Sequence, residues 1–239
     1  DYPGMYMLAE GEEPKLHSLS GFNSSYAWEL HHMLNAIARG EKNIPELLEY
    51  IAKDAERQPA DAFRLMFTSN HDENSWAGTE FERMGDAHKA FAALTFVLPK
   101  SQPLIYTGQE VGYDHSFEFF ERDAIPTEAY AENRTTELYR RLCDLKHSEA
   151  ALAAGERGGE MIEIENNAKD CMMTFVREVN GSRVVAIMNL SPYTIHADFN
   201  TGIYAGVYHN AITGERTELR EHVDEYIAPW NYRILVKKE

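Results

Sequence analysis

Phe67-Thr68-Ser69-Asn70-His71-Asp72-Glu73-Asn74-Ser75-Trp76 follows a short, mainly apolar run, Phe63 to Met66, and is closed by Gly78. The run reads as a buried strand, so a string of polar and ionisable side chains gathers where that strand gives way to a loop. Parallel α/β enzymes keep their chemistry at such positions, because the loops after the strands build the active face. The same residues also suit an Asn/Asp-rich turn that caps a helix. Neighbouring stretches have to choose between the two.

Two more strand ends carry the pattern. Met5-Tyr6-Met7-Leu8-Ala9 is apolar without helical period and runs into Glu10-Gly11-Glu12-Glu13-Pro14, where Gly11 loosens the backbone and Pro14 stops the pairing. Pro103-Leu104-Ile105-Tyr106 runs into Thr107-Gly108-Gln109-Glu110-Val111-Gly112. Phe22-Asn23-Ser24 adds a short strand. Leu30, Met33, Leu34, Ile37 and Ala38 recur at helical spacing up to Gly40, and Ile44 to Ala55 form a second amphipathic helix with Pro45 in its first turn. Asp86 to Leu98 and a segment through Leu138, Leu142 and Leu145 are the remaining helices. Strand and helix alternate with short connections, which predicts a parallel sheet with helices outside. Tyr113 to Asn133 lacks periodicity and reads as a long excursion of the functional or lid kind.

Near residue 151 the pattern changes. Met161–Ile164, Met172–Val179, Arg183–Leu190, Thr194–Phe199, Val207–Asn210 and Arg233–Val236 are strand candidates separated by turn residues. Asn180-Gly181 between two apolar runs is a hairpin signal. The expected architecture is α/β over residues 1–150, followed by an all-β antiparallel sandwich over residues 151–239.

Of the 239 residues 44% are hydrophobic, which is enough for a sizeable core, and the formal net charge is -16. That balance argues against nucleic acid or an anionic membrane as partner, since both need clustered Lys and Arg. No apolar run reaches the roughly 18 residues of a membrane span. Cys143 and Cys171 lie in a helical and a strand segment, giving neither a disulfide framework nor zinc spacing. Adjacent His31 and His32 would not share a helix face and make a poor metal pair.

Taken together, the three strand-end clusters resemble the alpha-amylase family of glycoside hydrolases, whose (β/α)8 TIM barrel is followed by a C-terminal β-sandwich. Phe67 with Asn70-His71-Asp72 resembles the family's signature after barrel strand seven. Met7-Leu8-Ala9-Glu10 resembles strand five with its acid/base glutamate, although Gly11 stands where an aromatic is frequent. Pro103 to Glu110 resembles strand eight. The resemblance implies Glu10 as general acid/base, helped toward its protonated form by a partly apolar strand, and Asp72 as transition-state stabiliser. It implies that His71 and Asn70 bind the same sugar; Trp76 and Tyr106 add flat faces for sugar rings or serve as core and rim aromatics. Glu12 and Glu13 compete with Glu10 for the acid role but stand further from the strand.

The family's nucleophile is an aspartate after strand four in a Gly-x-Arg-x-Asp pattern, and that pattern does not occur in this sequence. The chain is therefore expected to be the second half of the barrel plus the sandwich. No cofactor is expected within it; calcium, where the family carries it, would belong to the missing N-terminal part. Two open sheet edges call for a partner, either that N-terminal half or a second copy. The function implied is that of a retaining α-glycosidase acting on starch or maltooligosaccharides by hydrolysis or transfer. The alternative is a non-catalytic carbohydrate-binding or interaction protein on the same scaffold. A metal-dependent hydrolase built on Glu10, His71 and Asp72 would have a single histidine to offer zinc.

Overall fold

In the computed structural model, which describes residues 4–131 and 133–237, four parallel strands lie side by side in sequence order. They are β1 (Leu8–Ala9), β2 (Ser24–Tyr26), β3 (Phe63–Met66) and β4 (Ser101–Pro103). Helix α1 (Lys15–Ser20) follows β1; α2 (Trp28–Ala38) and α3 (Ile44–Arg57) follow β2. The next connection holds α4 (His71–Trp76), α5 (Glu80–Met84) and α6 (His88–Val97), and α7 (Arg134–Ser148) comes after β4. Strands that pair with their sequence neighbours and return through helices trace the arc of a barrel.

Local chemistry sets the boundaries. Asn43 accepts the Glu46 amide at 3.1 Å while Glu46 accepts the Asn43 amide at 3.0 Å, a reciprocal cap that starts α3. Along β3, Leu65 joins Tyr26 and Phe67 on one face of the sheet, whereas Met66 joins the helix-side core with Leu30, Leu34, Leu47 and Phe91. Arg64, on the same face as Met66, is fully buried. Its guanidinium donates to Asp54 of α3 at 3.1 Å, to Glu12 at 2.8 Å and to the Ser25 hydroxyl.

The second half contains β5 (Glu160–Glu163), β6 (Met172–Val179), β7 (Ser182–Asn189), β8 (Ile195–Asn200), β9 (Gly206–Asn210), β10 (Arg216–Leu219), β11 (His222–Ile227) and β12 (Tyr232–Val236). Six of them form an antiparallel sheet in the order β10-β9-β12-β7-β6-β5, and β11-β8 form a ribbon. Val179 pairs with Ser182 across Asn180 (φ 49°) and Gly181 (φ 85°), two successive positive φ values as a type I′ turn requires. Val185, Ile187 and Leu235 face the ribbon's Ala197, Phe199 and Val223, which makes the sandwich. Val184, Ala186, Ile234 and Val236 on the other face pack with Leu94, Leu142 and Leu145 in a core shared with the helices.

Differences from the sequence reading are local. Residues 67–76 are not an extended loop: Asn70 turns the chain directly into α4. Strand β4 starts at Ser101 and leaves the ladder after Pro103, which has no amide to donate. Helices α1 and α5 and strands β10 and β11 were not expected. In β11 exposed residues alternate with buried ones, which lowers its apolar content.

Arg177 of β6 ties the two halves together. Its guanidinium donates to Gly159 O at 2.7 Å and to the final carbonyls of α6, Val97 O at 2.9 Å and Leu98 O at 2.8 Å. Those carbonyls have no amide partner within the helix, and a cation there complements the helix dipole. Burial lowers the Arg177 pKa to about 10, so it stays charged at neutral pH. A β-carbon at Gly159 would lie 2.5 Å from the backbone N and O of Glu178. Gly159→Ala should therefore cost about 1–3 kcal/mol by overpacking. Arg177→Met, which strands three buried carbonyls, should cost about 3 kcal/mol or more. Urea denaturation midpoints measure both; values within error of wild type would remove the latch from this account.

Candidate active site

The end of β1 and the start of α4 bring three ionisable groups together. His71 Nε2 stands 3.8 Å from Glu10 Oε1 and 3.6 Å from Asp72 Oδ1. One ligand atom from each of the three lies within 4.8 Å of the other two. The side chains of Glu10, His71 and Asp72 are 63%, 48% and 37% exposed, so the cluster is open to a ligand. The apolar run before Glu10 does not enclose its carboxyl. Two carboxylates and one imidazole could hold a hard cation, but one imidazole is a poor set for zinc.

The backbone beneath the cluster is fixed from several sides. Asn70 is buried, and its side-chain oxygen accepts the Glu73 amide at 2.8 Å, which starts α4 and sets the direction of His71 and Asp72. Its amide nitrogen has no partner among the described residues. Arg83 of α5 donates to Thr68 O at 2.9 Å, Ser69 Oγ at 3.2 Å and Asn35 Oδ1 at 3.1 Å. Gln109 donates to Thr68 Oγ1 at 2.5 Å and accepts the Tyr106 amide at 2.9 Å, joining the ends of β3 and β4. Glu73 turns away from the cluster to the buried His31, 3.0 Å from its Nε2, and that imidazole holds the Glu73 carboxyl below the usual carboxylate range.

The rival acids have other work. Glu12 Oε1 accepts from Arg64 and its Oε2 accepts the Glu29 amide at 3.1 Å; burial pushes its carboxyl up, and Arg64 opposes that. Glu13 pairs with Lys15 at 2.8 Å. Trp76 stands exposed at the end of α4, whereas Tyr106 is half-buried and meets Phe117 edge-on at 6.0 Å.

Sequence reasoning did not find Tyr26, Phe119 or Phe120. Tyr26 lies beneath the cluster, stacked on Trp28 at 5.3 Å; burial and then the Glu10 and Asp72 carboxylates raise its phenol pKa. Its signal was the small-residue pair Ser24-Ser25 leading into an aromatic, two residues beyond the strand read at Phe22-Asn23-Ser24. Phe119 lies 5.8 Å from His71, ring stacked on ring, and Phe120 lies 4.7 Å from Phe119.

Residues 163–230 match the family model described as the alpha amylase C-terminal all-beta domain. Among solved structures, a maltogenic alpha-amylase from Thermotoga neapolitana superimposes with a TM-score of 0.78 at 16% identity, over 97% of this chain and 54% of that one. An alpha-amylase from Lactobacillus plantarum gives 0.75 at 18% identity, over 99% and 56%. One from Geobacillus thermoleovorans, solved with acarbose, gives 0.75 at 13% identity, over 100% and 54%. The chain thus spans about half the length of these structures and carries the fold of their barrel arc and β-sandwich, as the sequence resemblance implied. No curated protein matches the sequence.

Glu80, in the first turn of α5, is 4% exposed. Burial pushes its carboxyl from 4.5 up to about 7; Arg83 opposes the shift, and Asp114 and Glu110 add to it. A carboxyl that holds its proton more tightly when folded favours the fold at low pH, and that contribution is lost as pH rises from 4.5 through about 7. Glu80→Gln should abolish this part of the pH dependence, worth roughly 3 kcal/mol at most. Melting curves at pH 5 and pH 8 should show the variant gaining on wild type at the higher pH. An equal gap at both would mean that Glu80 does not titrate in this window.

Proposed function

We propose that this chain is the C-terminal portion of a retaining α-glycosidase of the alpha-amylase type, which hydrolyses or transfers α-glucosidic linkages of starch and maltooligosaccharides. The observation that carries the reading is the convergence of Glu10, from the end of β1, with His71 and Asp72, from the start of α4, at one end of a parallel arc. Active residues of such barrels come from the ends of different strands.

In this reading Glu10 donates its proton to the glycosidic oxygen as the bond to C1 breaks, then takes one from the incoming water or sugar hydroxyl. Asp72 accepts hydrogen bonds from ring hydroxyls, which strengthen as positive charge develops at C1. His71, held between the two carboxylates, donates to a hydroxyl of the same ring. Asn70 serves from below by fixing the start of α4. The nucleophile aspartate belongs to a complementary barrel portion that would pair along β1. The exposed apolar residues Met5, Tyr6 and Met7 lie just before that edge strand and suit such a contact. Any calcium site would lie in that portion.

The second reading, a non-catalytic carbohydrate-binding or interaction protein, rests on the open exposure of Glu10. Turnover separates the two. With the complementary portion present, Glu10→Gln should lower kcat about 10²- to 10⁴-fold. Asp72→Asn should lower it by orders of magnitude at unchanged fold. Near wild-type release of reducing ends from maltooligosaccharides by either variant would refute its assigned role. No turnover by the wild type, with binding retained, would favour the second reading.

A further inference from the structure

The His31 side chain exposes no surface, and the chemistry proposed above gives it no part. It stands on α2, whose Leu30, Leu34 and Ile37 are embedded in the helix-side core, so its base cannot shift without moving that core.

The two ring nitrogens meet the two ends of the segment that carries the ionisable cluster. Nδ1 lies 3.3 Å from Phe67 O, where β3 has just ended, and Nε2 lies 3.0 Å from Glu73 Oε2, one residue beyond Asp72. Between these two anchors the chain turns from strand into helix through Asn70, His71 and Asp72. The ring also stacks on Phe67, with centroids 4.6 Å apart and 15° between the planes. The Glu73 carboxylate keeps a proton on Nε2, and a doubly protonated ring donates on both sides.

Neighbouring groups extend the same hold. Asn35, one turn along α2, donates to His31 O at 2.8 Å and accepts from Arg83 at 3.1 Å, and Arg83 continues to Thr68 O and Ser69 Oγ. Residues 67 to 69 are thus tied to α2 directly or through Arg83, and Glu73 ties the first turn of α4 to it. Helix α4 has six residues, too few to be stable alone, so its direction is decided by contacts of this kind. The Asn70 cap fixes where α4 starts, and the bond from His31 to Glu73 fixes where it points.

We propose that His31 is a positioning residue: through Glu73 it braces α4 against α2 and thereby sets the places of His71 and Asp72 opposite Glu10. Its effect on rate rests on the glycosidase reading given above; the brace itself does not.

Hydrogen exchange and turnover test the two parts separately. The Glu73 and Asn74 amides bond to Asn70, and in the chain by itself both should exchange roughly 10-fold faster in His31→Phe, which keeps a ring on Phe67 but removes both nitrogens. Gly159→Ala, a remote destabilising change, should leave these two amides at wild-type rates. With the complementary portion present, His31→Phe should lower kcat on maltooligosaccharides about 10- to 100-fold and keep KM within about twofold. That loss should vanish in the Asp72→Asn background, because two changes on one line of action do not add. Glu73→Ala should match His31→Phe, whereas Glu73→Gln, whose amide oxygen still accepts from Nε2, should recover most of the rate. Glu73 is partly exposed, so its variants carry the test if His31→Phe fails to fold. Wild-type exchange at residues 73 and 74, or equal quickening in Gly159→Ala, would overturn the brace. Normal kcat in His31→Phe and Glu73→Ala, or a loss that multiplies with that of Asp72→Asn, would overturn the positioning role. Local quickening in a protein whose wild type turns nothing over would keep the brace and discard the glycosidase reading.

Discussion

A buried guanidinium without partners would be among the most expensive groups in a protein interior, and Arg64 sits fully buried in the middle of the parallel arc. Its cost is offset by recruiting Glu12, Asp54 and Ser25, and that recruitment organises much around it. Asp54 holds α3 against the sheet. Glu12 draws the loop after β1 down toward the helices, and with Glu13 paired to Lys15 the remaining acid of the strand end, Glu10, stands 3.8 Å from His71. Where the cations stand thus decides which of three near-neighbouring glutamates remains beside the imidazole of His71.

Arg177 repeats the device at larger range. Among the described residues it pairs with no carboxylate and is satisfied by carbonyls, two of them at the end of α6. The helix layer is thereby enclosed between two sheets: α6 and α7 cover the parallel arc on one side and receive the six-stranded sheet on the other. The second sheet holds the helices from behind, and the helices hold the strand ends that carry the ionisable cluster.

Much of this could be read from the residues. Asn180-Gly181 specified its hairpin, and helical spacing placed α2, α3, α6 and α7 to within a few residues. Glu10, His71 and Asp72 were legible because strand ends carry short local patterns, although their approach in space was not. What stayed hidden was non-local or aperiodic. Arg64 lay inside a run that read as apolar, and Arg177 finds two of its three partners about 80 residues away. Strands β10 and β11 alternate with polar residues, and Phe119-Phe120 sit in a segment without period. Asn70 has the residue type of both a ligand group and a cap, and only the backbone turn at β3 shows that its oxygen is used as a cap.

The shared core has a thermodynamic consequence. The change in architecture near residue 150 is no break in packing, since hydrophobic side chains from both sides fill one continuous interior. Arg177 crosses the same boundary with its two carbonyl contacts to α6. Two modules joined in this way do not melt one after the other: exposing either side strips the other of the packing that fills the shared interior. The sandwich behaves less like an appended domain than like the far wall of a single cooperative unit.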